Sequence, residues 1–104
     1  MSKTLDLTRE LVARPSVTPD DAGCQQLIAE RLLPLGFDVE WFLCGDVSNV
    51  LFTRGRRSPS LWFLGHTDVV PTGPEELWTF LPFNPDEKNE DLYGRGVADM
   101  KGAV

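Results

Sequence analysis

The stretch Leu61-Trp62-Phe63-Leu64-Gly65-His66-Thr67-Asp68-Val69-Val70-Pro71 decides our interpretation of both the fold and the chemistry. Its first four residues form a continuous apolar run, which is typical of a strand covered on both faces inside an α/β sheet. His66, the only histidine of the chain, follows that run, and Asp68 comes two residues later. Because ligands bind outside the carboxyl ends of the strands in open α/β sheets, we expect a functional site here.

Two amphipathic helices are predicted before this strand. The first extends from about Lys3 to Ala13 and ends before Pro15, because the residue preceding a proline is disfavoured in the α conformation. The second is expected to begin with Thr18 as N-cap and Pro19 at the first helical position. Its apolar face consists of Cys24, Leu27, Ile28, Leu32 and Leu35.

Shorter elements complete the predicted fold. Residues 37–44 alternate in polarity and residues 49–54 are extended in pattern, so two strands are expected. Residues 71–89 are rich in proline, glycine and acid and predict a long loop that Trp78, Phe80 and Phe83 anchor to the core. The order of elements favours an α/β fold, with a central, mostly parallel or mixed sheet flanked by helices.

Composition limits the classes of function. With 104 residues, 41% of them hydrophobic, the chain suits a single globular domain and is unlike a disordered protein. No apolar run approaches the ~20 residues that span a bilayer. The net charge of −6 and the lack of a basic stripe argue against nucleic acid and anionic membranes as partners. Cys24 and Cys44 form no C-x-x-C pair, so we expect two reduced thiols, the first in the core and the second packed at a strand end.

A second motif, Gly94-Arg95-Gly96-Val97-Ala98-Asp99-Met100-Lys101-Gly102, lies close to the carboxyl end. Taken alone, Asp99 is most simply the N-cap of a following helix. Gly94 and Gly96 are not followed by the third glycine of the G-x-G-x-x-G pattern of dinucleotide-binding loops, which argues against a phosphate site. Arg95 is expected to pair with one of the nearby acids, among them Asp86, Glu87, Glu90 and Asp91.

His66 allows two interpretations. Its neutral imidazole could bind a metal while Asp68 accepts the other ring N–H and fixes the tautomer. Alternatively, it is a loop histidine hydrogen-bonded to nearby backbone. If Asp99 is a second metal ligand, the side chains of His66 and Asp99 must lie close together in the fold.

Several motifs in order give the chain a family resemblance. Gly65-His66-Thr67-Asp68-Val69-Val70-Pro71, then Trp78 with Pro82-Phe83, then residues 94–102 resemble the metallopeptidase and aminoacylase superfamily of dizinc amidohydrolases. Within it, residues 11–19 and 24–28 are most similar to the succinyl-diaminopimelate desuccinylase family. Carboxypeptidases, aminoacylases and acetylornithine deacetylases share the G-H-x-D motif and the later aspartate, and a non-catalytic truncated module is the remaining alternative.

The resemblance implies roles for three residues. His66 would bind one zinc ion, Asp99 would bridge both, and Asp68 would be the catalytic acid that orients His66. Two divalent ions per subunit, zinc or cobalt, would serve the hydrolysis of N-succinyl-LL-2,6-diaminopimelate to succinate and LL-2,6-diaminopimelate in bacterial lysine biosynthesis. The resemblance further implies a cytoplasmic homodimer.

The resemblance also implies that the site is incomplete in these residues. We expect residues 1–104 to be the amino-terminal portion of a zinc-exopeptidase-like catalytic domain. A glutamate general base, further metal ligands and the dimerisation domain would come from later chain. The 104 residues alone are therefore expected to be inactive.

Overall fold

The computed structural model describes residues 2–104, so Met1, the first residue of the expected unit 1–104, lies outside the described residues. Helix α1 comprises Lys3–Val12 and begins where the hydroxyl of Ser2 accepts a hydrogen bond from the Leu5 N–H at 3.3 Å. This element agrees with the first predicted helix. Helix α2 comprises Cys24–Leu32 and continues into a short 3₁₀ turn at Leu33–Leu35, which ends at the left-handed Gly36.

The predicted start of the second helix at Thr18 and Pro19 is wrong. The Thr18 N–H donates to the Val69 carbonyl at 3.0 Å instead of belonging to a helix. Its hydroxyl donates to the carboxylate of Asp68. Asp21 takes over part of the capping, because its carboxylate accepts from the Gln25 N–H at 2.9 Å in the first turn of α2. Tertiary hydrogen bonds thus override a local capping pattern.

The strands form two antiparallel hairpins. Strand β1 (Asp38–Cys44) pairs with β2 (Val47–Thr53), and β3 (Asp86–Lys88) pairs with β4 (Asp91–Tyr93). Helices and strands are therefore both present, and β1 and β2 lie where strands were predicted. The expected central parallel or mixed sheet is not confirmed, since the parallel pairing within residues 2–104 is limited to one bridge between Val17 and Val69.

The prediction of a buried strand at residues 61–64 is wrong for the described part of the chain. The segment is irregular, and its side chains are exposed by between 73% at Trp62 and 98% at Leu64. A strand needs a neighbour to satisfy its N–H and C=O groups, and none of the strands in residues 2–104 pairs with this segment. An apolar pattern alone therefore did not produce a strand.

The small core lies between the two helices. Leu11, Cys24 and Leu27 are buried together, with Leu7 and Ile28 packed against them. Burial of Cys24 agrees with the prediction and raises the pKa of its thiol through desolvation. Cys44 is exposed, contrary to the prediction, because it lies at the end of β1, and the contacts of α2 with the hairpin are made through β2; both thiols are free. None of the helices in this range has the length and apolar character to cross a membrane.

The predicted loop 71–89 is largely irregular but contains a 3₁₀ turn at Glu75–Leu77 and strand β3. Two of its aromatic residues contact the loop itself and β4, while anchoring to the core stays a prediction. The Trp78 indole N–H donates to the Thr72 carbonyl at 3.0 Å, and the rings of Phe80 and Tyr93 lie 4.6 Å apart.

Candidate metal centre

The two motifs singled out in the sequence lie against each other. Asp99 belongs to a distorted helical turn, Val97–Lys101, in which Asp99 (φ −126°, ψ 96°) and Met100 are not helical. The backbone N–H of His66 contacts the Met100 sulfur at 3.3 Å, which joins the two segments. Asp99 is therefore not the N-cap of a following helix, and its carboxylate is directed at His66.

Two glycines allow this close approach. Gly96 has φ +86°, and a Cβ at this position would lie 2.6 Å from Cγ1 of Val69. A Cβ at Gly94 would lie 2.6 Å from Cγ1 of Val12. Such distances are far shorter than the ordinary contact of 3.5–4.0 Å between carbon atoms. Glycine at these positions thus serves the packing of the Asp99 segment on α1 and on the loop after His66.

His66 lies between two carboxylates. Its Nδ1 is 3.0 Å from the backbone oxygen of Asp68 and 3.2 Å from Oδ1 of the same residue. Its Nε2 is 3.2 Å from Oδ1 of Asp99. The structure thus brings all three sequence-predicted site residues together, although 33 positions separate His66 from Asp99.

The imidazole of His66 has acceptors beside both ring nitrogens. Two oxygens of Asp68 lie beside Nδ1 and one oxygen of Asp99 lies beside Nε2, so we assign the hydrogen of the neutral ring to Nδ1, and Nε2 then presents a lone pair. That lone pair faces a carboxylate oxygen, which is also an acceptor. Two acceptors 3.2 Å apart repel each other unless a proton or a cation lies between them.

The pair fits the ligands of one divalent metal ion. Zinc bonds to histidine nitrogen and carboxylate oxygen are ~2.0–2.2 Å, so two tetrahedral ligands lie about 3.4 Å apart, close to the observed separation. Both side chains are accessible, His66 by 49% and Asp99 by 88%, and they line a cavity of about 270 Å³. Within residues 2–104 no three His, Cys, Asp or Glu side chains are grouped to hold a metal, so a metal held by this pair would need further ligands.

Sequence reasoning missed Lys101. This side chain is 1% exposed, and its Nζ donates to the Arg14 carbonyl at 2.8 Å, tying the Asp99 turn to the end of α1. Desolvation lowers the pKa of Lys101, while the neighbouring Cys24 and Asp21 oppose that shift. The Asp-Met-Lys-Gly motif was the one signal in the sequence that included this residue. Patterns of apolar residues do not reveal which lysine will be buried.

The expected ion pair between Arg95 and a nearby acid is wrong. Within residues 2–104 the salt bridges do not include Arg95, and Glu87 pairs with Arg9 instead. The guanidinium of Arg95 stacks on the Trp78 ring, 4.8 Å from its centroid. The acids of the hairpin β3–β4 are exposed, and Glu87 among them is taken up by Arg9, whereas the backbone N–H of Arg95 donates to the Pro82 carbonyl at 2.7 Å.

Comparison with known proteins finds a family similarity for the segment that carries both motifs. Residues 62–104, which contain His66, Asp68 and Asp99, match the model of peptidase family M20/M25/M40. Over these residues the chain is similar to that peptidase family.

Similarity to curated relatives extends over the whole chain. It is 60% identical to a succinyl-diaminopimelate desuccinylase of Thioalkalivibrio sulfidiphilus and 61% identical to one of Stenotrophomonas maltophilia, in each case over 104 residues. A desuccinylase of Halorhodospira halophila is 59% identical over the same length. These matches include all of this chain and 28% of each relative, so the chain spans little more than a quarter of the length of these relatives.

Proposed function

We propose that this chain forms part of the catalytic domain of a succinyl-diaminopimelate desuccinylase, with His66 and Asp99 as metal ligands. The observation that carries the proposal is the 3.2 Å separation of His66 Nε2 and Asp99 Oδ1, with Nδ1 of the same ring against Asp68. The names of relatives 59–61% identical over all 104 residues support the choice of substrate, N-succinyl-LL-2,6-diaminopimelate.

The residues of this chain have separate tasks in the proposed hydrolysis. Nε2 of His66 and the carboxylate of Asp99 hold the metal. Asp68 accepts the Nδ1 hydrogen of His66, which keeps Nε2 unprotonated and raises its basicity as a ligand. When bound, a divalent metal polarises the amide carbonyl and acidifies water, the chemistry that hydrolysis of an unactivated amide requires. Asp99, which is more exposed than Asp68, would also hold a second ion.

The remaining assignments of the proposal concern the whole protein. Two zinc or cobalt ions per subunit need three or more protein ligands each, so further ligands and a general base come from outside residues 2–104. Residues 1–104 would be the amino-terminal portion of the catalytic domain. The protein would act as a cytoplasmic homodimer in lysine biosynthesis, without nucleic acid or membrane as partners.

The test is a graft in which residues 1–104 replace the matching segment of the Thioalkalivibrio sulfidiphilus relative. The purified graft, with zinc added, is expected to release succinate from N-succinyl-LL-2,6-diaminopimelate and to leave N-acetylornithine intact. His66→Ala and Asp99→Ala should each abolish turnover and lower the affinity for zinc in competition with a chromophoric chelator. Thr53→Val, an exposed change on β2 outside both motifs, is the control for mutagenesis.

Two results would contradict the proposal. A graft that folds and binds zinc but hydrolyses only N-acetylornithine would assign the chain to a different acyl substrate. Unchanged zinc affinity in both His66→Ala and Asp99→Ala would remove these residues from the metal centre.

A further inference from the structure

The segment between α1 and α2, residues 14–21, forms several hydrogen bonds with the loop that follows His66. The Val69 N–H donates to the Ser16 carbonyl at 2.9 Å, and the Thr18 N–H donates to the Val69 carbonyl at 3.0 Å. The hydroxyl of Ser16 donates to the Thr67 carbonyl at 2.7 Å. The Thr67 hydroxyl in turn donates to Asp21 at 2.9 Å. The backbone of Thr18 is therefore fixed relative to residues 67–69.

The hydroxyl of Thr18 has two acceptors within reach but only one hydrogen to donate. These acceptors are Oδ2 of Asp68 and, at 3.3 Å, the carbonyl oxygen of Val69. The Val69 oxygen already accepts the backbone N–H of Thr18, whereas the carboxylate oxygen is charged and lies closer. Hydrogen bonds to charged acceptors are about twice as strong as neutral ones, so the hydroxyl donates to Asp68.

Three side chains are consequently linked in series. The Thr18 hydroxyl binds one oxygen of the Asp68 carboxylate, and the other oxygen lies 3.2 Å from Nδ1 of His66. Asp68 is 42% exposed, and without the hydroxyl its carboxylate could rotate away from the imidazole toward water. The hydroxyl removes that freedom.

We propose that Thr18 is a positioning residue of the metal centre, whose hydroxyl holds Asp68 in the orientation that fixes the tautomer and direction of His66. This inference rests on the proposed function, because it assigns Nε2 of His66 to a metal. Thr18 lines the same cavity as His66 and Asp99, but its hydroxyl contacts Asp68 and the Val69 carbonyl, so it acts on the metal ligands through Asp68. Threonine and serine both supply the hydroxyl, whereas valine has the same shape without it.

If Thr18 served only the stability of the fold, Thr18→Val would lower the melting temperature, and we expect that it does not. Thr18 is exposed, so replacing its hydroxyl by a methyl group leaves no buried polar group unpaired. Ser16 is 0% exposed, and loss of its hydroxyl leaves the Thr67 carbonyl without that donor. Ser16→Ala is therefore expected to lower the melting temperature, and Thr18→Val is expected to leave it nearly unchanged.

The experiment compares Thr18→Val, Thr18→Ser and the control Thr53→Val in the graft defined above. Outer partners of metal-binding histidines are worth roughly 10–100-fold in affinity or activity, and Thr18 is one hydrogen bond further out. We therefore expect Thr18→Val to lower kcat and the zinc affinity by roughly three- to tenfold, less than the loss of a direct partner of the histidine, with KM unchanged. Thr18→Ser should restore most of both quantities.

Three results separate the possible failures. Equal kcat and zinc affinity in Thr18→Val and Thr53→Val would overturn the role of Thr18. Equal losses in Thr18→Val and Thr18→Ser would also overturn it, because the hydroxyl would then not be the group responsible. If the parent graft binds zinc but releases no succinate, the proposed function fails, whereas the zinc affinities of the same variants still decide the role of Thr18.

Discussion

Gly96→Ala should destabilise the fold and weaken the metal centre together. The left-handed backbone at φ +86° costs an alanine about 1–2 kcal/mol. Its Cβ would also lie 2.6 Å from Cγ1 of Val69, a residue only 3% exposed, and such overpacking typically costs about 1–3 kcal/mol. We therefore expect a loss of about 2–5 kcal/mol in the free energy of unfolding and reduced zinc affinity, because the turn that carries Asp99 must move.

Urea unfolding of the graft and chelator competition provide the assay. Gly73→Ala is the matched control, since Gly73 has φ +68° but open space around it, and only the backbone cost of about 1–2 kcal/mol applies. Adding Val69→Ala to Gly96→Ala removes the clashing methyl group, so the two changes together should cost less than their separate effects combined. Equal losses in Gly96→Ala and Gly73→Ala, or strict additivity with Val69→Ala, would refute the steric argument.

Three further predictions concern the centre and the core. Asp68→Ala in the graft should lower activity by about 10–100-fold at saturating zinc with little change in melting temperature, and unaltered activity would remove Asp68 from the mechanism. Cys24 should resist a thiol reagent at pH 8 while Cys44 reacts, and Cys24→Ala should abolish a loss of stability above pH 9. The raised pKa keeps the folded thiol protonated when the unfolded thiol ionises, so the parent is destabilised as the pH rises; equal reactivity of the two thiols would contradict this. Residues 1–104 alone should not hydrolyse N-succinyl-LL-2,6-diaminopimelate even with excess zinc, because His66 and Asp99 are too few ligands, and activity that His66→Ala abolishes would show that the remaining ligands are present.

Local patterns predicted those elements whose stability is local. Helix α1 agrees with its apolar spacing and proline stop, and the β1–β2 hairpin needs only two adjacent segments. The strand predicted at residues 61–64 failed because a strand depends on neighbours that a sequence pattern cannot supply. Thr18 was misassigned as a helix cap for a related reason. Its hydroxyl can form a hydrogen bond with either a nearby backbone N–H or a distant carboxylate, and the sequence does not show which of the two bonds is more favourable.

The sequence by itself determined which residue types form the candidate centre. Its only histidine, the aspartate two residues later and the aspartate of the Gly-Arg-Gly-x-x-Asp-Met-Lys-Gly motif already defined an oxygen and nitrogen donor set suited to zinc. Only the tertiary structure decided how His66, Asp68 and Asp99 are held. Thr18 and Lys101 act through hydrogen bonds to residues 50 and 87 positions away, and such contacts arise from chain packing, which short-range periodicity does not encode.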